Sequence, residues 1–248
     1  MTAKTSGEIH LSVVVPAYNE EKRIGPTLDR IRAYLARQPW PGEIVVVDDG
    51  SMDRTAARAE DALRGMPEAR VLSRSANRGK GASVKEGVLA ARGAFVLFTD
   101  ADLSTPIEEL DKFWPLMEAG CDIAIGSRAL PGSNILVRQN PVREAMGKAF
   151  NLLVRLFLFR GIPDTQCGFK LFRRTAARNL FSRLRTPGFG CDVEILDLAR
   201  RSGLRIGQVP VVWRHSRPSR VRLVRGAAGM LADLLRIKLR RGLGRKHL

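Results

Sequence analysis

Apolar and polar positions along the first half of the chain follow two alternating rhythms. Leu11 to Val15 is a short β-branched run that ends at Pro16, and such a run reads as a strand covered on both faces. From Asn19 to Arg37, the residues Ile24, Leu28, Ile31 and Leu35 recur at helical spacing. Ile44 to Val47 is a second buried strand, closed by Asp48-Asp49-Gly50. A helix capped by Ser51 or Asp53 then runs to about Leu63. Arg70 to Leu72 is a third strand, Gly79 to Ala91 a helix, and Phe95 to Phe98 a fourth strand that ends in Thr99-Asp100-Ala101-Asp102. Another helix starts near Pro106, and Asp122 to Ile125 is a fifth strand. Strands alternating with helices predict an α/β domain with a largely parallel sheet. Ligands of such sheets bind beyond the carboxyl ends of the strands, so the loops after the first, second and fourth strands are expected to share one crevice.

The second half is less regular. Asn140 to Phe159 reads as helix, Arg160 to Phe172 as loop and strand, Asp192 to Arg201 as helix, and Ile206 to Val212 as strand. A final helix is predicted from about Arg222 to Arg241. On its projection Arg222, Arg225, Arg236 and Arg240 share one face, with Leu223, Met230, Leu231, Leu234 and Leu235 on the other. That is an interfacial pattern, interrupted by Lys238 and Arg241, so packing against the rest of the chain is its rival. No internal repeat or low-complexity linker divides the chain.

Charge sharpens this picture. Of a net +17, the stretch from Arg201 to Leu248 carries +12, with 13 basic residues and 1 acidic. A basic tail suits nucleic acid or an anionic membrane. Trp213 is its only aromatic, and the basic-aromatic interleaving of a nucleic-acid binder is missing. The three cysteines, Cys121, Cys167 and Cys191, form no Cys-x-x-Cys pair, which fits a reducing compartment. Residues Met1 to Glu8 are polar, unlike a signal peptide. The densest apolar stretch, Leu152 to Phe159, contains Arg155 and is too short to span a bilayer.

Three loops carry candidate chemistry. Asp100-Ala101-Asp102 sets two carboxylates two residues apart at the ligand edge, and a hard divalent cation shares such oxygens with substrate phosphates. Two solvated turn acids are the plain alternative. Asp48-Asp49-Gly50-Ser51 can accept hydrogen bonds from a ribose or base, or simply build a turn. In Val15-Pro16-Ala17-Tyr18-Asn19-Glu20, Tyr18 suits stacking on a base, whereas Asn19 and Glu20 equally suit a helix start. Asn77-Arg78-Gly79-Lys80-Gly81 fails both the phosphate-loop and the dinucleotide spacings, yet Gly and Lys before a helix still suit an anion.

In this order and spacing the loops resemble the family 2 glycosyltransferases of GT-A fold. The resemblance continues through Gly126-Ser127-Arg128, through Asp164-Thr165-Gln166-Cys167-Gly168-Phe169-Lys170 and to Trp213, and covers roughly residues 10–240. The Asp164 to Lys170 run and Trp213-Arg214-His215 are similar to the branch that loads glucose or mannose onto dolichyl or polyprenyl phosphate. The resemblance implies a catalytic domain over residues 1–220 and a basic, membrane-surface helix and tail over 221–248. It implies that Pro16, Tyr18, Glu20 and Asp48 line the nucleotide, with Asp49 and Lys80 close by. Asp100 and Asp102 would serve Mg²⁺ or Mn²⁺ and the diphosphate, with Asp102 the main ligand, while Arg128, Arg143 and His215 would face the acceptor phosphate. Arg214, Arg217 and Arg220 around His215 disfavour a cation there. Asp192 stands where many members place a base, and a helix cap is its local alternative. The implied reaction is inverting transfer from UDP-glucose, or from GDP-mannose, onto a polyprenyl phosphate at the inner face of the cytoplasmic membrane. Ser104 stands where mannosyl members often have Gln, which favours glucose. A silent sugar-nucleotide-binding module would have a broken Asp-x-Asp pair, and here the pair is intact.

Overall fold

The computed structural model describes residues 8–137, 140–215 and 223–243. Its strands are β1 (Leu11–Ala17), β2 (Gly42–Asp48), β3 (Ala69–Ser73), β4 (Phe95–Thr99), β5 (Ile123–Ser127), β6 (Asn134–Val137), β7 (Phe169–Arg173), β8 (Ile206–Pro210) and β9 (Val212–Arg214). Seven of them form one sheet in the order β3-β2-β1-β4-β7-β5-β8. All run parallel except β7, which lies antiparallel between β4 and β5. β6 and β9 pair as a separate parallel ribbon. The helices are α1 (Ile24–Ala36), α2 (Thr55–Leu63), α3 (Lys80–Ala90), α4 (Trp114–Glu118), α5 (Pro141–Phe157), α6 (Arg174–Arg183), α7 (Cys191–Arg201) and α8 (Leu223–Leu243).

The continuous apolar runs of β1 and β2 follow from burial on both faces. Val13, Val15, Ile44 and Val46 pack with Ile24, Leu28 and Ile31 of α1 on one side. Val14, Val45 and Val47 pack with α3, α5, α6, α7 and α8 on the other. Two differences from the sequence pattern matter near the crevice. α1 begins at Ile24 rather than Asn19, because Asn19 is held at a left-handed φ of 54° by bonds to the neighbouring loop. The helix expected from Pro106 is a 3-10 turn over Ile107–Lys112 followed by the short α4. Asn140 caps α5, accepting the Val142 N–H at 2.9 Å.

α8 packs against the rest of the chain. Leu234 and Ile237 belong to the same core cluster as the sheet. Arg240 lies 3.5 Å from Glu194 and Arg241 3.6 Å from Asp197, both on α7. Leu234 is turned into the core, and Arg240, from the other face of the projection, reaches Glu194. The side chains of Arg225 and Leu223, and all of Arg217, Arg220 and Arg222, lie outside the described residues. Among the described residues no helix is long and apolar enough to cross a membrane.

Candidate active site

β2, β1 and β4 are parallel neighbours, so their carboxyl ends open on one edge and the loops that follow them meet. The Asp48 carboxylate, buried at the end of β2, accepts hydrogen bonds from the hydroxyl and N–H of Ser51. Ser51 Oγ in turn accepts the Asn19 N–H at 2.8 Å, and Asn19 Oδ1 accepts the Met52 N–H at 2.9 Å. The Glu20 N–H donates to Thr55 Oγ1 at 2.7 Å. These exchanges lock the loops after β1 and β2 together. They leave Tyr18 exposed at the rim, Pro16 half-buried at the end of β1, and Glu20 paired with Arg23.

Asp49, expected close to the nucleotide, braces the loop beside it. Its two oxygens accept the N–H groups of Arg78 and Gly79 at 2.9 and 2.8 Å, and Arg74 Nη1 lies 2.9 Å away. It anchors the loop that opens α3. That loop also needs glycine: Gly79 has φ 96°, and a Cβ there would stand 2.6 Å from the Pro187 carbonyl oxygen. The segment Thr186–Gly190 is held from behind by Glu194, which accepts the Thr186 N–H at 2.7 Å, and by α8, whose Asp233 packs on Gly190.

Asp100 and Asp102 follow β4 as expected. Lys80 reaches Asp100 at 2.9 Å, and Asp102 accepts the Ser104 N–H at 3.0 Å. Burial and the neighbouring Asp100 charge hold the Asp102 carboxyl above the usual carboxylate range. Two crowded carboxylates, one of them held at the cost of its own ionisation, are a fit for a divalent cation. The described residues hold no cluster of three or more His, Cys, Asp or Glu suited to a metal, so substrate oxygens and water would complete the shell. Asp102 also borders a cleft of about 200 Å³ whose other walls include Lys22, Arg23 and Arg30, a cationic surface that the sequence reading did not assign.

Asp100 rests on Gly168. A Cβ at that position would lie 1.9 Å from Asp100 Oδ2, so only glycine lets the carboxylate sit where it does. Gly168→Ala is expected to push Asp100 aside by about 1 Å and to lower transfer roughly a hundredfold with little change in melting temperature. Steady-state kinetics beside a thermal melt checks this; wild-type turnover would show that Asp100 has no fixed place in the reaction.

Asp192, expected where many members place a base, is buried between two lysines. It is 2% exposed, and Lys170 Nζ donates to one of its oxygens while Lys80 Nζ lies 3.5 Å from the other. Burial alone raises its pKa, but the two lysines outweigh that and hold it below the usual carboxylate range. Lys170 is fully buried and also donates to the Cys167 carbonyl at 2.6 Å. The sequence reading gave it no role; the available signal was one Lys inside the apolar strand Phe169–Arg173.

Arg128, after β5, is held as a fork by Asp164, with Nε 2.7 Å and Nη2 2.8 Å from its two oxygens. Its plane lies 5.3 Å from the Trp213 ring centre, and the His215 ring stacks on Trp213 at 5.9 Å. Nη1 is left without a partner among the described residues. The Arg214 N–H bonds the Ser104 carbonyl at 2.8 Å, which ties the β6–β9 ribbon to the Asp100–Asp102 loop. Arg128 and His215 thus meet at this end of the site. Arg143 lies in the first turn of α5, with its side chain outside the described residues. Asp164, Trp213 and Arg74 are further participants to which the sequence reading gave no role.

Comparison with known proteins gives one answer. Residues 12–181 match the family model described as Glycosyl transferase family 2. The dolichyl-phosphate beta-glucosyltransferase of Trichomonas vaginalis is 37% identical over 96% of this chain and 73% of its own. The dolichyl-phosphate beta-glucosyltransferase of Drosophila melanogaster is 40% identical over 84% of this chain and 68% of its own. Among solved structures, glucosyl-3-phosphoglycerate synthase from Mycobacterium tuberculosis, crystallised with Mn²⁺, UDP and glucosyl-3-phosphoglycerate, superposes with a TM-score of 0.68. It is 25% identical, over 95% of this chain and 81% of that one.

Proposed function

The chain belongs to glycosyl transferase family 2 and is a nucleotide-sugar glycosyltransferase of GT-A fold, and from that premise we propose that it transfers glucose from UDP-glucose to a polyprenyl phosphate with inversion at the anomeric carbon. The observation that carries the choice of acceptor is the state of Asp192. A hydroxyl acceptor must lose a proton as it attacks and needs a base to take it. Asp192 is locked between Lys170 and Lys80 and held ionised, which makes it a weak base without access to a ligand. A phosphate monoester has a second pKa of about 6 and is largely dianionic at neutral pH, so it attacks without one.

In this reaction an oxygen of the acceptor phosphate attacks the anomeric carbon from the face opposite UDP. The bond from that carbon to the UDP oxygen breaks, and its electron pair leaves on the diphosphate. Pro16, Tyr18, Glu20 and Asp48 line the nucleotide, and Lys80 supplies positive charge beside the departing diphosphate. Arg128, through Nη1, and His215 orient the acceptor phosphate, with Arg143 as a further fork. Asp100 and Asp102 would hold Mg²⁺ or Mn²⁺, which neutralises charge on a leaving diphosphate when bound. Asp49, Asp164 and Lys170 position these groups.

The names of the relatives support glucose, and Ser104 agrees. GDP-mannose is the rival donor, and a competition between the two donors in one tube decides it: glucose is expected to dominate the lipid product, and mannose in excess would overturn the donor while leaving the acceptor standing. An acceptor embedded in a bilayer calls for work at a membrane surface, and the basic C-terminal region suits the inner, anionic face of the cytoplasmic membrane.

A further inference from the structure

Among the described residues, two neighbouring helices each carry a row of exposed apolar side chains. On α5, Phe150, Val154 and the following Leu158 turn into the core, while Leu152, Leu156 and Phe157 are 53, 64 and 40% exposed. On α8, Leu234 and Ile237 turn inward, while Leu231, Leu235 and Leu239, four residues apart, are 43, 51 and 69% exposed. The stripes lie side by side, for Lys238 Nζ of α8 stands 4.3 Å from the ring centre of Phe157. Water-facing leucines in two adjacent rows are not what a monomer free in water presents.

The charges around these rows are of one sign. Arg155, Arg236 and Lys238 are exposed along them. The acids of the two helices are already engaged: Glu144 with Lys148 at 2.8 Å, and Asp233 with Arg236 at 3.3 Å and against the Gly188–Gly190 loop. Two copies meeting through this face would set cation against cation. An anionic bilayer instead takes leucines into its acyl boundary and basic residues at its headgroups.

We infer that α5 and α8 together form a docking face for an anionic lipid surface, made by Leu152, Leu156, Phe157, Leu231, Leu235 and Leu239. The shape of the face is independent of the reaction; that its partner is lipid rests on the polyprenyl-phosphate reading. It differs from the interfacial face expected of the last helix alone: α5 supplies half of it, Leu234 is spent on the protein interior and Arg240 on Glu194 of α7.

The test is flotation of the full chain with phosphatidylglycerol-containing vesicles and with pure phosphatidylcholine vesicles. It compares wild type, the triple variant Leu156→Glu, Leu235→Glu, Leu239→Glu, and a control Leu89→Glu on the exposed side of α3. Wild type and control are expected to float with anionic vesicles and far less with neutral ones. The triple variant should bind at least about a hundredfold more weakly, since three leucine side chains no longer leave water, with its melting temperature unchanged. Undiminished flotation of the triple variant, or equal binding of wild type to neutral vesicles, overturns the inference. So does a wild-type dimer in light scattering that the triple variant abolishes, which would make the face a contact between copies. Transfer to a short polyprenyl phosphate dispersed in detergent, run in parallel, should be kept by the triple variant. If wild type floats as expected but transfers nothing to that acceptor, the reaction reading fails and the docking face stands.

Discussion

Asp102→Asn is expected to lower the rate of sugar transfer by at least about a hundredfold, because metal stabilisation of a leaving group is worth several kcal/mol and each 1.4 kcal/mol is a factor of about ten. The substitution keeps the shape of the side chain and its bond from the Ser104 N–H while removing the charge that would hold the cation. Folding should not suffer. Burial and the Asp100 charge raise the Asp102 carboxyl above its ordinary pKa, so its ionised form opposes folding at neutral pH, and the neutral amide leaves the melting temperature equal or higher. Mn²⁺ binding by titration calorimetry in the presence of UDP should weaken in step with the rate. Near-normal turnover by the variant, or full wild-type activity in chelator, would contradict the assignment.

Lys170→Met should have the largest effect on stability. It leaves the Asp192 carboxylate buried, with only Lys80 at 3.5 Å to balance it, and stranding one partner of a buried pair costs about 3–5 kcal/mol. For a chain of this size that is a fall of roughly 6–20 °C in melting temperature. Transfer should fall as well, since Lys80 is then drawn from Asp100 towards Asp192. The double variant Lys170→Met, Asp192→Leu removes the stranded charge and should recover most of the loss. A double variant less stable than the single one would show that Lys170 acts through packing, not through Asp192.

The sequence made some of this legible and hid the rest for physical reasons. Runs such as Val13-Val14-Val15 and Ile44 to Val47 announce strands buried on both faces, and carboxylates just beyond their ends announce the ligand edge. Local pattern cannot say that β7 enters the sheet antiparallel between β4 and β5, because that depends on pairing across more than forty residues of chain. β6 escaped notice because Asn134–Val137 is exposed on every residue and lacks the alternation of a half-buried strand. α6 is short, and two of its four buried residues, Ala176 and Ala177, are small and mark a helix face weakly. Asp49 and Asp192 stand out in the sequence as acids beside the crevice. Which cations pair with them follows only from the positions of Arg74, Lys80 and Lys170. Arg128 was legible as a cation at a strand end, but its partner Asp164 lies 36 residues away and no spacing rule joins them.

The acceptor is the point on which the functional reading turns. The direct test incubates the protein with radiolabelled UDP-glucose, Mn²⁺ and a detergent-dispersed polyprenyl phosphate, with 3-phosphoglycerate as the water-soluble competitor, and extracts into organic solvent. Label in the organic phase, with one UDP released per glucose and a β-linked product, is the expected result. Label that stays in the aqueous phase on 3-phosphoglycerate, with none on the lipid, would contradict it.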